Sequence, residues 1–497
     1  MPGAATPTVL HGKFSSWLPW HQPFLHDLLQ GLDASFRNVV VCNRVENEAR
    51  FPRADLVCLK SRALLQPAAA ALCAADLRAR FAPALLHGHF GWSGVRLLLL
   101  KALLRVPLVT TFGGRDAGVQ LHDPKSAPVY RILLGASDRI LCVSAHLRET
   151  LLAAGAAPER TLVVHRGTDL ARFPFCERAG REGGPLRILM VGRLVEKKGH
   201  RDALAALRRL RDAGCAAQLA VVGAGPAREA ILAEAERLGV AGQVELAVPT
   251  DQAQLRDRFA AADAFLHCSV TARDGDVEGI PNVVVEAAAT GLPVVATRHG
   301  GIGEVVEDGK GGLLVPEGDP PALAAALERL AREPALRLAL GRGAASRVRL
   351  DFDLAVQVAA HEALYGELLA ERAPRPLALP ADFFTLARRA VGGGARGWDH
   401  AQARAVASLL PGLAPLAECL GAAPRSAADR ALEAPTAWPR PWRSAAELAI
   451  DLAGRTPLPD LERPLRDLRG EPPPTAPWRR LRARLAGASD AEEDGDH

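Results

Sequence analysis

The stretch Asp276-Val-Glu-Gly-Ile-Pro-Asn-Val-Val-Val-Glu-Ala-Ala-Ala-Thr-Gly-Leu-Pro-Val-Val-Ala-Thr297 opens as a polar loop and ends as an apolar strand. Between these lies a small-residue helix, expected over Asn282–Thr290 and stopped by Gly291. The run Pro293–Ala296 then reads as a strand too apolar to have a wet face. A buried helix leading through a short turn into a buried strand is one unit of a parallel sheet covered on both faces.

The same alternation extends in both directions. Strands are expected at Arg187–Val191, Gln218–Val222, Val244–Ala247, Ala264–Cys268 and Gly312–Val315, with helices at His200–Arg211, Ala227–Leu238 and Pro321–Ala331. Residues 176–185 (CERAGREGGP) are polar, Gly-rich and end in Pro, the composition of a linker. Before them the pattern repeats, with strands at Thr8–Leu10, Val39–Cys42, Ala84–His87, Leu108–Thr111, Ile140–Ser144 and Thr161–Val164, and a helix at Pro67–Arg80. The expected fold class is therefore α/β, with two doubly wound Rossmann-like domains, 1–175 and 186–350, facing a cleft. A helical stripe of Leu354, Val358, His361, Leu364, Leu368 and Leu369 marks residues 351–372 as a helix that crosses back to brace the first domain. Residues 373–497 hold 16 of the 37 prolines and four of the seven tryptophans (Trp398, Trp438, Trp442, Trp478), with short helical patterns and no strand pattern. They read as a Pro-rich helical extension, including Ala401–Leu409 and Ser444–Leu452, with a disordered acidic end from Asp490.

Composition narrows the function classes. In 497 residues, 48% are apolar and 24% charged, the proportions of a globular chain. The excess of 61 basic over 56 acidic residues is too small and dispersed to argue for nucleic acid, yet suits local contact with phosphates or anionic head groups. Eight scattered cysteines without a C-x-x-C pair read as buried free thiols of a reducing compartment. Met1–Leu10 lacks the regions of a signal peptide, and the apolar stretch around Leu97–Leu100 is interrupted by Lys101 and Arg105 before it can span a membrane. A cytoplasmic protein is expected, with a place at the inner face of the membrane as a further possibility. A helical face of Trp478, Leu481 and Leu485 among Arg479, Arg480, Arg482 and Arg484 would suit an anionic surface, or a solvated helix packed on its own domain.

Chemistry enters at the strand ends. Gly279 lets the backbone approach a ligand closely, and Pro281-Asn282 opens a helix whose unpaired N–H groups and dipole favour an anion. Glu278 and, eight residues on, Glu286 lie near that mouth, where carboxylates can bind sugar and ribose hydroxyls. Alone, E-x₇-E also fits a capped core helix with two incidental glutamates. Upstream, Gly192-Arg193 and Glu196-Lys197-Lys198-Gly199 follow the first strand of the second domain, at the edge where open α/β sheets bind ligands. Two cations there, Arg193 and Lys198, can neutralise a diphosphate leaving group without a metal.

The set VGRLVEKKG, VVGAGP, DGDVEGIPNVVVEAAATGLPVVAT and HGGIGEVVEDGKGGLLVPEGDPPALAAAL resembles the second domain of retaining glycosyltransferases of family 4, which have the GT-B fold. HGHFGWSG, VTTFGGRDA and CVSAHLRETLLAAGAAPERTLVVHRGTDLARF match the same family in the first domain. The look is that of exopolysaccharide, colanic-acid-type transferases; it covers residues 80–370 well, 1–80 loosely and the tail not at all. The resemblance implies a nucleotide diphosphate sugar as substrate, a saccharide or lipid-linked acceptor, and no cofactor, metal or nucleic acid. Arg193 and Lys198 would hold the diphosphate, Glu286 the ribose, and Glu278 the donor sugar. Gly192, Gly223, Gly279, Ile280, Pro281, Asn282 and Val283 would line the donor site. His89, Gly113, Gly114, Asp116 and Lys13 would lie on the acceptor side.

Two departures stand out. The family's T-F-H-G-x-D reads Thr111-Phe112-Gly113-Gly114-Arg115-Asp116 here, so Gly113 replaces an imidazole near the donor sugar. Either His89, His122 or Arg115 fills that gap, or catalysis is weakened. The Gly-Gly loop after the first strand is also absent, and HGKFSSWLPW, with Lys13, Trp17 and Trp20, is expected as a loop bordering the acceptor. Asp274-Gly275-Asp276 reads as loop rather than metal site, and Gly223-Ala224-Gly225-Pro226 lacks the third glycine of a dinucleotide fingerprint. Two alternatives stay open: a non-catalytic protein of this fold, and a storage-sugar synthase or phosphorylase.

Overall fold

Runs such as Val39-Val40-Val41 can be buried on both faces only when helices cover both sides of a sheet. In the computed structural model, which describes residues 6–18, 23–59, 61–65, 67–177, 184–248, 252–371, 374–375 and 377–390, the chain does this twice. The first sheet comprises β1 (Thr8–Trp17), β2 (Arg37–Val45), β3 (Leu56–Cys58), β4 (Pro83–His89), β5 (Leu108–Phe112), β6 (Arg139–Cys142) and β7 (Thr161–Val163). The second comprises β8 (Leu186–Val191), β9 (Ala217–Val222), β10 (Val244–Ala247), β11 (Ala264–His267), β12 (Val294–Thr297) and β13 (Gly312–Val315). Their orders are β3-β2-β1-β4-β5-β6-β7 and β10-β9-β8-β11-β12-β13. All the pairings are parallel. In each sheet the winding reverses once, between β1 and β4 and between β8 and β11. Loops leaving the carboxyl ends of strands at such a reversal diverge and leave a crevice between them.

Several elements differ from expectation, among them the unexpected helices Gln252–Ala261 and Pro334–Asp351. β3 is only three residues long, too short for a periodic signal. The stretch expected as an acceptor loop, HGKFSSW, is instead the continuation of β1, paired with β2 as far as Trp17↔Val45 across a register shift between Lys13 and Ser16. Its polar side chains are taken up internally: His11 Nε2 lies 3.0 Å from Asn38 Oδ1, Lys13 binds Ser15 Oγ, and Ser16 Oγ donates to Glu46 Oε1 at 2.6 Å. The long helical pattern begins later than expected, because Asp353 caps a new helix by accepting from Ala355 N. That helix, Leu354–Ala370, lies against Pro23–Leu32 and adds Leu364, Tyr365 and Leu368 to the first domain's core, where Tyr365 Oη is 2.5 Å from His87 Nδ1.

Part of the C-terminal extension also joins the first domain: Leu377, Leu379, Phe383, Phe384 and Ala387 share its main core. The expectations for Ala401–Leu409, Ser444–Leu452, the Trp478 face and the acidic end lie outside the described residues. Among the described cysteines, all free, Cys42, Cys73, Cys142 and Cys268 are buried as expected, whereas Cys176 is exposed. No helix among the described residues is long and apolar enough to cross a membrane.

The Lys101 that interrupts the apolar run is itself buried. In the helix Gly91–Leu104 its Nζ lies 2.6 Å from Asp138 Oδ2 and donates to Ala136 O at 2.6 Å, while Asp138 also accepts from Leu108 N at 2.7 Å. One buried ion pair thus ties helix, β5 and β6 together. Removing one partner strands the other charge in an apolar core. Asp138→Ala should lower unfolding stability by about 3–5 kcal/mol, and Lys101→Met with Asp138→Leu should recover most of that loss, as read from denaturant midpoints.

Candidate active site

The loop after β8 makes one tight turn, Glu196–Lys198, before Gly199 starts the helix His200–Asp212. Gly199 has φ 64°, and a Cβ there would lie 1.8 Å from the Cys268 carbonyl oxygen, so only glycine lets this loop press on the loop after β11. The close approach buries two ammonium groups. Lys197 Nζ lies 3.0 Å from Asp276 Oδ2 and 3.8 Å from Glu278 Oε1, and Lys198 Nζ lies 2.8 Å from Glu278 Oε1. The Lys198 contact is an ion pair poorly aligned as a hydrogen bond, which leaves Glu278 Oε1 without a donor among the described residues.

The carboxylates at this edge differ in their protonation. Burial pushes the Glu278 carboxyl up, but the ammonium groups of Lys198 and Lys197 outweigh it and hold the group down at about 2. Glu278 is an acceptor-only carboxylate at neutral pH. Its backbone is fixed by a relay in which Glu278 N–H donates to His299 Nε2 at 3.0 Å and His299 Nδ1–H donates to Glu317 Oε1 at 2.7 Å. Glu286, half-buried on the helix Asn282–Ala289, has no compensating cation, and burial pushes its carboxyl up to about 7. Pro281, at the start of that helix, offers no side-chain cap; Val284 N donates to Pro281 O at 3.0 Å, and Asn282 N and Val283 N are left for a ligand. Buried His267, at the end of β11, has both ring nitrogens unpartnered among the described residues, and burial lowers its pKa so that it is neutral.

Other expected donor-site residues surround this cluster. A Cβ on Gly223 would lie 1.8 Å from Gly192 O, and one on Gly192 would lie 3.3 Å from Lys198 Cε; both glycines leave room for backbone and lysine. Arg193 is exposed on the rim and does not join the buried cluster. Gly279, with Ile280 behind it in the second domain's core, reaches the first domain: its Cβ position is 2.8 Å from Gly113 O and 2.9 Å from Val143 Cγ2. The domains also meet where Arg115 Nη1 lies 3.1 Å from Asp274 Oδ2. Glu304 accepts from Ala145 N at 2.9 Å and from His146 N at 3.3 Å, and pairs with His165 Nε2 at 2.9 Å. A second-domain carboxylate thus sits on the N-terminus of a first-domain helix, where the dipole favours it. Asp274 pairs with Arg115, and Asp276 with Lys197 and Arg115.

On the first-domain side, Asp116 is buried and accepts from Gly113 N at 3.0 Å, Gly114 N at 2.9 Å and Gly91 N at 3.1 Å, which shapes the loop after β5. Lys13 is buried, and burial pushes its pKa down to about 8. His89 turns inward, with its Nε2 3.0 Å from His11 Nδ1. His11, His87 and His89 gather their ring nitrogens within 4.8 Å, but His87 bonds Tyr365 and Thr111, and His11 bonds Asn38 and His89, so hydrogen bonds account for the group. None of the three groups expected to fill the gap at Gly113 does so: His89 is in this network, His122 Nδ1 donates to Gly118 O at 2.5 Å, and Arg115 faces Asp274. The space holds Phe90 and Arg166, 3.0 and 3.1 Å from where a Gly113 Cβ would be. Lys197 stands beside Lys198 in the quoted EKKG, and Arg166 lies in the quoted VVHRGTD. The sequence reading gave a role to neither.

The model for Glycosyl transferases group 1 matches residues 176–347, and that for Glycosyltransferase Family 4 matches residues 22–172. WcaL of Salmonella typhimurium, named for colanic acid biosynthesis, is 37% identical over 246 residues, covering 49% of this chain and 60% of that protein's length. Glycogen synthase of Mycobacterium tuberculosis is 30% identical over 302 residues, covering 59% of this chain and 71% of that protein. The crystal structure of Anabaena HepE in complex with UDP superposes with a TM-score of 0.61 at 19% identity, over 72% of this chain and 100% of that one. At that identity it speaks for the fold alone.

The raised Glu286 carboxyl has a stability consequence. Between its ordinary value of 4.5 and about 7 the folded protein holds a proton that the unfolded chain releases, so this group's contribution to stability falls as pH rises through that window. Glu286→Gln should remove that slope. Its melting temperature should match the parent's near pH 5 and exceed it at pH 8.

Proposed function

The chain belongs to the group 1, family 4 glycosyltransferases, and on that premise we propose that it moves a hexose-type sugar from a nucleotide diphosphate donor to a saccharide or lipid-linked acceptor in surface polysaccharide biosynthesis, with retained anomeric configuration and without a metal. The observation that carries this reading is the convergence of Lys197, Lys198, Asp276 and Glu278 at the β8/β11 reversal, with Lys198 Nζ 2.8 Å from Glu278 Oε1. Without ligand, the two ammonium groups are balanced by the two carboxylates. A diphosphate brings further negative charge, and Lys198 can turn towards it, with Arg193 on the rim as a second partner. Glu278 Oε1 is then free to accept a sugar hydroxyl, while Glu286 accepts from the ribose.

The protonation states favour one division of labour. A carboxyl held at about 2 is a weak base, so Glu278 binds and stabilises charge rather than taking the acceptor's proton. That proton passes instead to the departing phosphate oxygen, on the same face as attack, as the bond from the anomeric carbon to that oxygen breaks and the bond to the acceptor oxygen forms. Lys198 and Arg193 stabilise the charge growing on the diphosphate, and closure of the cleft keeps water out. The likeness to WcaL favours an exopolysaccharide acceptor, whereas that to glycogen synthase favours a storage-glucan acceptor.

A panel of nucleotide sugars offered with polysaccharide-repeat, lipid-linked and glucan acceptors in EDTA tests this. Turnover with an α-linked product from an α-linked donor is expected, and Lys198→Ala should lower the rate by ~10²–10³. Loss of turnover in EDTA or an inverted product would overturn the metal-free retaining scheme. Tight donor binding without turnover on any acceptor would favour a non-catalytic protein.

A further inference from the structure

Arg166 leaves β7 and enters the cleft beside the loop after β5, where the Gly113 side chain is missing. A Cβ on Gly113 would lie 3.1 Å from Arg166 Nη2 and 3.0 Å from Phe90 Cε1, so a side chain there would crowd the arginine tip and the Phe90 ring where they now lie. The guanidinium lies over the Phe24 ring, 3.8 Å from its centroid, and its Nη1 is 3.4 Å from Asn282 Oδ1 in the second domain. No carboxylate lies within ion-pair distance of it among the described residues, although Asp116 in one domain and Glu278 in the other both attract it. Among the described residues its one hydrogen bond is the long one to Asn282, so most of its five N–H donors are free for another acceptor. The half-buried guanidinium keeps part of its fork open towards the cleft, and burial pushes its pKa down to about 10.

The backbone beside it is strained in the same direction. Phe90 has φ 72° and ψ 152°, a conformation nearly restricted to glycine, which costs ~1–3 kcal/mol and carries its ring towards Gly113. Phe90 and Arg166 thus fill the space at Gly113 from two elements, and the arginine fork is left facing the helix mouth at Asn282.

We propose that Arg166 replaces the missing imidazole as the first domain's donor-site residue, holding an oxyanion of the nucleotide sugar in its guanidinium fork. This rests on the donor-site reading above and adds a substrate class to it. The planar fork matches two oxygens of a phosphate or a carboxylate, which a neutral imidazole cannot hold in the same way. The oxyanion is either the donor's distal phosphate or the carboxylate of an acidic transferred sugar.

Titration calorimetry with UDP, GDP and ADP first identifies the base. The diphosphate, its glucose conjugate and its glucuronate conjugate are then titrated into wild type, Arg166→Met, Arg166→Lys and Lys198→Ala. Arg166→Met should weaken at least one of the three by about tenfold or more, with Arg166→Lys intermediate because a single ammonium cannot fork. Equal weakening of all three identifies the distal phosphate, and weakening confined to the glucuronate conjugate identifies a sugar carboxylate. Should Arg166→Met fail to fold by circular dichroism, Arg166→Lys carries the test. Wild-type affinity within twofold in every arm of the folded variants, with Lys198→Ala still impaired, overturns this inference alone. If wild type binds none of the diphosphates, the donor-site reading fails with it.

Discussion

The active-site edge depends on two lysines and two carboxylates being packed where water barely reaches. Lys197 and Lys198 come from a loop that Gly199 presses against the Cys268 carbonyl, and Asp276 and Glu278 come from the loop on the other side of the β8/β11 reversal. Neither pair of charges could be buried alone, because desolvating an unpaired ion costs several kcal/mol. Together they sum to zero, and each holds the opposite loop in place. On the proposed donor-site reading, an incoming anion would compete with Glu278 for Lys198 and release a carboxylate already ionised.

Above this cluster, the domains are joined by contacts that a small rotation would break. Glu304 is bonded to the first turn of the helix Ala145–Ala153 and to His165, Arg115 pairs with Asp274, and Gly279 meets Gly113 with no side chain between them. Exposed or half-exposed pairs of this kind contribute little each. The helix Leu354–Ala370 is of another kind, because its Leu364, Tyr365 and Leu368 are sunk in the first domain's core. The chain therefore returns to the first domain through an apolar attachment, while Glu304 and Arg115 make polar contacts between the domains.

At Gly113 the resemblance leads one to expect an imidazole, and the structure places other groups there. Losing an imidazole looks like decay when its strand-end motif is considered alone. In space, the vacancy is occupied by Arg166 from the end of another strand and by the strained Phe90. His89, His122 and Arg115, nearer in sequence or already in a motif, are each engaged elsewhere.

The sequence by itself determined the two parallel sheets, nearly all of their strands, and the edge at which Lys198, Glu278 and Glu286 would lie. These follow from local patterns: apolar runs at strand spacing, glycine and proline at turns, and charged residues just past strand ends. Only the tertiary structure decided that HGKFSSW is strand, because its backbone pairs with β2 and its polar side chains find partners within the first domain, and that Lys101 is a buried ion rather than a surface break. It also decided that Arg193 stays on the rim while Lys197 joins the cluster, and that Arg166 stands at Gly113. Each of these depends on which residue from a distant part of the chain meets a given side chain, and no short-range pattern carries that information.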